Sequence, residues 1–249
     1  MGTKGRKNVK TTSYSSWAEN FPRLYELYRN SDQENEANYF ASFDEVLKNP
    51  LAQSHYERLE EELTQLSDVA WQEFKQKVLR YVTIRDSLRG YNQLFECFNE
   101  VKGYLYLKSE GYKEIHFIPK EDSKTPDLRA CCGSSIVLLE VKTINTSADE
   151  IKWIRENSEI GADGVRHMEA REVRQGLNQG LNDKITKAVE EAREQLLSHA
   201  CEGVEHRIVY LVIHLDRLLA LDSSNLIKLA AYIGKQGDEQ IEVKHCCDW

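Results

Sequence analysis

The chain has 249 residues and a mass of 28.8 kDa, enough for one generous domain, or a catalytic domain with a helical addition, whose core requires no disulfide or metal staple. Hydrophobic residues at 41% and charged residues at 30%, with 13 Gly and 4 Pro, exclude a disordered, collagen-like or membrane chain. The net charge of −8 excludes a broadly basic DNA coat, yet the acidity is uneven: residues 32–63 hold nine acids against Lys48 and Arg58, while Lys4, Arg6, Lys7 and Lys10 leave the first ten residues without an acid.

The longest apolar run, Ile208 to Ile213, is far too short to cross a bilayer, and Met1 to Asn20 is polar, so a cytoplasmic protein without a membrane partner is expected. Six cysteines, at 97, 131, 132, 201, 246 and 247, include no Cys-x-x-Cys and read as reduced thiols. The tail His245-Cys246-Cys247-Asp248 would hold a metal only with partners from elsewhere.

Two regions follow from the hydrophobic period. Residues 1–88 read as a helical N-terminal region, with short helices near Phe21–Arg29 and Phe40–Leu47. Leu59, Leu63, Leu66, Ala70, Phe74, Val78 and Tyr81, spaced by three and four, predict one helix from about Tyr56 to Tyr81. Residues 89–249 read as an α/β domain. Leu94, Phe98, Val101 and Leu105 form the stripe of its first helix, which Gly111 ends. Strands follow at Glu114–Pro119, Pro126–Cys132 and Ser135–Ile144, the last two around the turn Cys132-Gly133-Ser134. After the polar insert 145–180 come a helix with Ile185, Ala188, Val189, Ala192 and Leu196 on one face, a buried strand at Arg207–Leu215, a helix near Asn225–Ile233 and a strand near Gln240–Lys244. The insert has no strong periodicity over its length and carries Arg166, His167, Arg171 and Arg174, the pattern of a mobile segment that meets substrate.

The triplet Glu-x-Lys occurs five times and carries meaning only in context. The copy Glu140-Val141-Lys142 lies late in the expected central strand, with Pro126-Asp127 before it on the preceding strand. Strand alternation puts Glu140 and Lys142 on one face after Ile136 and Leu138, with Val137, Leu139 and Val141 on the other. A charged pair in such surroundings is costly unless paired or metal-bound. A hairpin that joins Asp127 to Glu140 would offer two hard oxygen ligands suited to Mg²⁺, with Lys142 to stabilise charge on phosphate oxygens. A structural Glu140–Lys142 salt bridge is the simpler reading, but it leaves Pro126-Asp127 unexplained.

The run Ser123-Lys124-Thr125-Pro126-Asp127, followed after twelve residues by Glu140-Val141-Lys142-Thr143, resembles the PD-(D/E)xK signature of the restriction-endonuclease-like nuclease superfamily. The resemblance covers about half the chain and implies a core of a helix, a three-stranded antiparallel meander, a helix and a strand. It implies Asp127 and Glu140 as metal ligands, joined by Glu100 on the first core helix, with Glu96 one turn earlier as runner-up, and Lys142 as the catalytic ammonium. Lys184 and Gln195, on one flank of the helix after the Glu-x-Lys strand, are the implied nucleic-acid contacts; Lys187 lies across the apolar stripe. The chain lacks the Gln-x-x-x-Tyr pattern of the exonuclease branch.

The expected function is therefore an Mg²⁺-dependent deoxyribonuclease, with Mn²⁺ as a substitute ion, acting as an endonuclease on DNA. A homodimer would suit cleavage of both strands, and the acidic helical region would suit a protein partner. The competing readings are a non-catalytic nucleic-acid-binding or scaffold module of the same fold, and an unrelated interaction domain.

Overall fold

In the computed structural model the described residues are 17–87, 89–119, 125–133, 135–145, 158–160, 166–168, 179–199, 203–214 and 223–248. The helical region begins with α1 (Pro22–Asn30), a 3₁₀ turn (Tyr39–Ser42) and the short α2 (Phe43–Val46). Thus the expected helix at 40–47 is two brief pieces. The expected long helix is also two, α3 (Pro50–Thr64) and α4 (Asp68–Val78). Ser67 breaks it: its side chain accepts from the Ala70 N–H, and Asp68 follows in the first turn, an N-terminal cap in mid-pattern. The apolar stripe continues in phase across the break, and Leu59, Leu63, Leu66, Ala70, Phe74 and Val78 are all buried.

After α5 (Asn92–Ser109) the chain forms β1 (Lys113–Phe117), β2 (Leu128–Cys132) and β3 (Ser135–Ile144). Gly111, at φ +86°, makes the left-handed turn out of α5. Within the insert, β4 (Ser158–Ile160) pairs antiparallel with β5 (Arg166–Met168), a small hairpin unmarked by any apolar alternation; the rest of 146–178 lies outside the described residues. Then come α6 (Gln179–Ser198), β6 (Val204–His214), α7 (Ser223–Ile233) and β7 (Glu242–Asp248). The last strand starts later and runs further than expected, taking in the His-Cys-Cys tail.

Among the described residues the protein is α/β, with seven α-helices and a five-stranded mixed sheet of order β1-β2-β3-β6-β7. The first three strands are an antiparallel meander, whereas β6 runs parallel to β3 and β7 parallel to β6. Both central strands are covered on two faces, which explains their near-continuous apolar sequence. Val137, Leu139, Val141, Ile208, Tyr210 and Val212 share one cluster with α5 and the N-terminal helices. Leu138, Ile144, Val209, Leu211 and Ile213 pack with α6 and α7 in a second. The packing of the first cluster is continuous across residue 88.

Two features bring helices onto the strand ends where the charged motif lies. Gly103 lets α5 approach closely: a Cβ there would stand 2.8 Å from Val141 Cγ2 and 3.0 Å from Leu139 Cδ2. On α4, Glu73 accepts from the Phe117 N–H at 3.0 Å and meets His116 Nδ1 at 2.9 Å, while Phe74 packs on Phe117. This clamps α4 to the exposed edge of β1 and covers a backbone donor there.

Candidate active site

The register Leu128↔Leu139, extended by one residue, sets Asp127 opposite Glu140, and the Asp127 N–H bonds the Leu139 carbonyl at 3.1 Å. Asp127 is held on both oxygens: Oδ2 accepts from the Val141 N–H at 3.0 Å, and Oδ1 accepts from Lys77 Nζ at 3.0 Å. Glu140 is its neighbour across the hairpin, close enough for the Asp127 charge to act on the Glu140 carboxyl. Asp127 and Glu140 are 5% and 3% exposed, so two acids meet here almost without water.

Glu140 faces α6, as strand alternation requires. Its Oε1 accepts from Lys142 Nζ at 2.8 Å and its Oε2 from Gln195 Nε2 at 2.8 Å. Burial and the adjacent Asp127 charge push the Glu140 carboxyl up to about 8, although Lys142 opposes the shift. Gln195 also donates to the Thr125 carbonyl at 2.5 Å, and its Oε1 lies 3.5 Å from Lys142 Nζ. One glutamine thus ties the Pro126-Asp127 approach to both charged residues of β3. Lys142 keeps 23% of its side chain exposed, which makes it the ammonium that solvent and a ligand can reach.

Glu100 completes the group from α5. Gly103 lies one turn further on, so the close approach of α5 to the sheet carries Glu100 to the strand ends. It is 4% exposed, with Oε2 at 2.5 Å from Lys77 Nζ. Glu96 is exposed, 3.5 Å from its helix neighbour Asn92 Nδ2, and takes no part. Beside Glu100, Asn99 Nδ2 contacts Thr143 Oγ1 and His214 Nε2, each at 3.0 Å.

The structure therefore gathers Glu100, Asp127, Glu140, Lys142 and Gln195. Lys184 donates to the Asn145 carbonyl just after β3 at 3.1 Å, while Lys187 pairs with Glu191 on the surface. Ser123 and Lys124 of the motif lie outside the described residues, as do Arg171 and Arg174 of the insert.

Lys77, the residue that sequence reasoning passes over, bridges Glu100 and Asp127 from α4. Burial alone would lower its pKa, but the Asp127 and Glu100 carboxylates outweigh that and raise it, so the group is a permanent ammonium. Its signal was present in the sequence: it lies three residues after Phe74 and one before Val78, on the flank of a buried stripe where a lysine has to find a buried acid. Among known proteins, no family model matches the chain, and no curated protein or solved structure is significantly similar to it.

Proposed function

We propose that the chain is a metal-dependent nuclease that hydrolyses DNA phosphodiester bonds, built on a restriction-endonuclease-like core. The observation that carries this reading is the convergence of Asp127, Glu140 and Lys142 at one strand fork, with Asp127 and Glu140 side by side across the hairpin and both buried. The succession α5, β1-β2-β3, α6, β6 supports it, since it is the element order that the motif implies.

The donor set suits a hard divalent cation. Neighbouring buried carboxylates repel each other, a repulsion that a bound cation relieves, and all-oxygen donors favour Mg²⁺ or Mn²⁺ over softer ions. Asp127 and Glu140 would hold the ion, with Glu100 as the third carboxylate of the site. When bound, the ion would polarise the phosphodiester and acidify a water molecule. Lys142 is placed to orient that water or to meet charge on the phosphate oxygens, because it combines solvent access with anchorage on Glu140. Gln195 positions Glu140 and leaves Lys142 a second partner. The Val141 N–H and Lys77 fix the Asp127 carboxylate in one rotamer.

The test is incubation of the purified chain with supercoiled, linear, branched and single-stranded DNA, with Mg²⁺, Mn²⁺ or EDTA. Asp127→Ala and Lys142→Ala serve as controls. Metal-dependent cleavage that both substitutions abolish is the expected result; cleavage that survives both would remove the assignment.

A further inference from the structure

The chemistry above gives Lys77 only the fixing of a rotamer, although burying its ammonium is costly. An ammonium 5% exposed gives up its hydration, a loss that only well-placed anions offset. It belongs to α4, in the helical region outside the half of the chain that carries the motif. Its nitrogen stands 2.5 Å from Glu100 Oε2 and 3.0 Å from Asp127 Oδ1. A divalent ion bridging those same oxygens, at ~2.1 Å from each, would have to occupy the space of that nitrogen.

We infer that Lys77 is the built-in cation of the Glu100–Asp127 arm, so that the site takes one divalent ion, between Asp127 and Glu140, and not two. This rests on the reading of Asp127 and Glu140 as metal ligands. The charge balance agrees with it. Glu100, Asp127 and Glu140 are faced by Lys77 and Lys142, which leaves one negative charge when all are ionised. One divalent ion reverses that to one positive charge, a good match for a phosphodiester; a second would leave an excess of three in a buried site.

Lys77 acts through its two carboxylates and is a positioning residue. It keeps Glu100 off the ion and turns Asp127 so that its remaining coordination is directed to Glu140. The arrangement also makes the N-terminal helices part of the site's electrostatics, since α4 is clamped to β1 by Glu73 one turn before Lys77.

The experiment counts Mn²⁺ ions by electron paramagnetic resonance on the full chain, taking in each background only those ions that Asp127→Ala removes. The wild type is expected to hold one such ion, Lys77→Met two, and Lys77→Arg one again. Glu100→Gln is expected to leave the wild-type count at one, because Glu100 holds Lys77 and not the ion. Two ions in the wild type would overturn the inference, as would one ion in a folded Lys77→Met variant. If Lys77→Met does not fold, Glu100→Gln decides: loss of the bound ion overturns the proposal, and retention supports it. A wild type with no Asp127-dependent ion refutes the metal reading itself, and this inference with it.

Discussion

Two glutamates lie equally deep in this protein and face opposite surroundings. Glu60, on α3, is 5% exposed and accepts from the N–H groups of Arg23 and Leu24 at 2.7 and 3.0 Å. Those are the second and third residues of α1, whose N-cap Phe21 has no side-chain acceptor. Glu60 therefore caps α1 from another helix, where orphan donors and the helix dipole both favour an anion. Burial raises its pKa, and the two backbone donors oppose that rise. Glu140, at 3%, meets Asp127 instead of a helix N-terminus, and its carboxyl is driven much further up. The first acid is compensated by the fold. The second is left in conflict with its neighbour, the condition in which a cation or a reacting phosphate can bind usefully.

The largest effect should separate the two at once. Asp127→Ala or Lys142→Ala should lower metal-dependent DNA cleavage by roughly 100-fold or more, the scale of losing one preorganised charged group. Lys142→Ala should change stability little, because that side chain is partly exposed, whereas Asp127→Ala also leaves the Val141 N–H and one side of Lys77 unpaired and should cost about 3 kcal/mol, so cleavage is compared per folded molecule. Glu60→Ala should do the reverse. It strands two N–H groups at the start of α1 and should cost about 2 kcal/mol in denaturant unfolding, with cleavage per folded molecule unchanged. A cost under ~0.5 kcal/mol would mean that water caps α1 as well as Glu60 does.

Between these lies Gly103→Ala, which strains the second region without touching a charge. The new methyl meets Val141 Cγ2 at 2.8 Å and Leu128 Cδ1 at 3.1 Å, so α5 must move or β3 must yield. Alanine's better helix propensity offsets part of the cost, leaving a net loss of about 1 kcal/mol. Glu100 lies one turn away, so cleavage should fall as well. Unchanged activity in a destabilised variant would show that the position of Glu100 is not critical.

The same contrast explains what was legible in the sequence. The apolar period placed the stripes of α3, α4 and α6 and most of that of α5, where Leu107 and not Leu105 is buried, and alternation put Glu140 and Lys142 on one face, because these depend only on neighbours along the chain. Asp127 could be matched to Glu140 because a short turn fixes hairpin register, as the pairing of Leu128 with Leu139 illustrates. Lys77 and Glu60 could not be assigned partners, since theirs lie 50 and 37 residues away on other elements. What could be read for both was a charge on or beside an apolar stripe, a demand for a partner without its name. The break at Ser67 was masked for a different reason: Leu66 and Ala70 stay in phase across it, so periodicity overrode the cap signal in Ser67-Asp68.

A pH series tests the conflict itself. Without metal, native Glu140 holds its proton up to about 8, whereas the unfolded chain releases it in the ordinary carboxylate range. Native binding of that proton is favourable below both values, so stability from this group falls as pH rises through the window between them and levels off above it. Glu140→Gln removes the titration and keeps an acceptor for Lys142, though a weaker one. In EDTA the variant should therefore gain on the wild type as pH goes from 5 to 8.5, by several kcal/mol in melting experiments, since the window spans about three pH units at ~1.4 kcal/mol each. Mg²⁺ should then reverse the ranking, because it stabilises only the chain that can bind it. A difference that stays flat with pH would show that Glu140 is as well compensated as Glu60, and the contrast between the two regions would collapse.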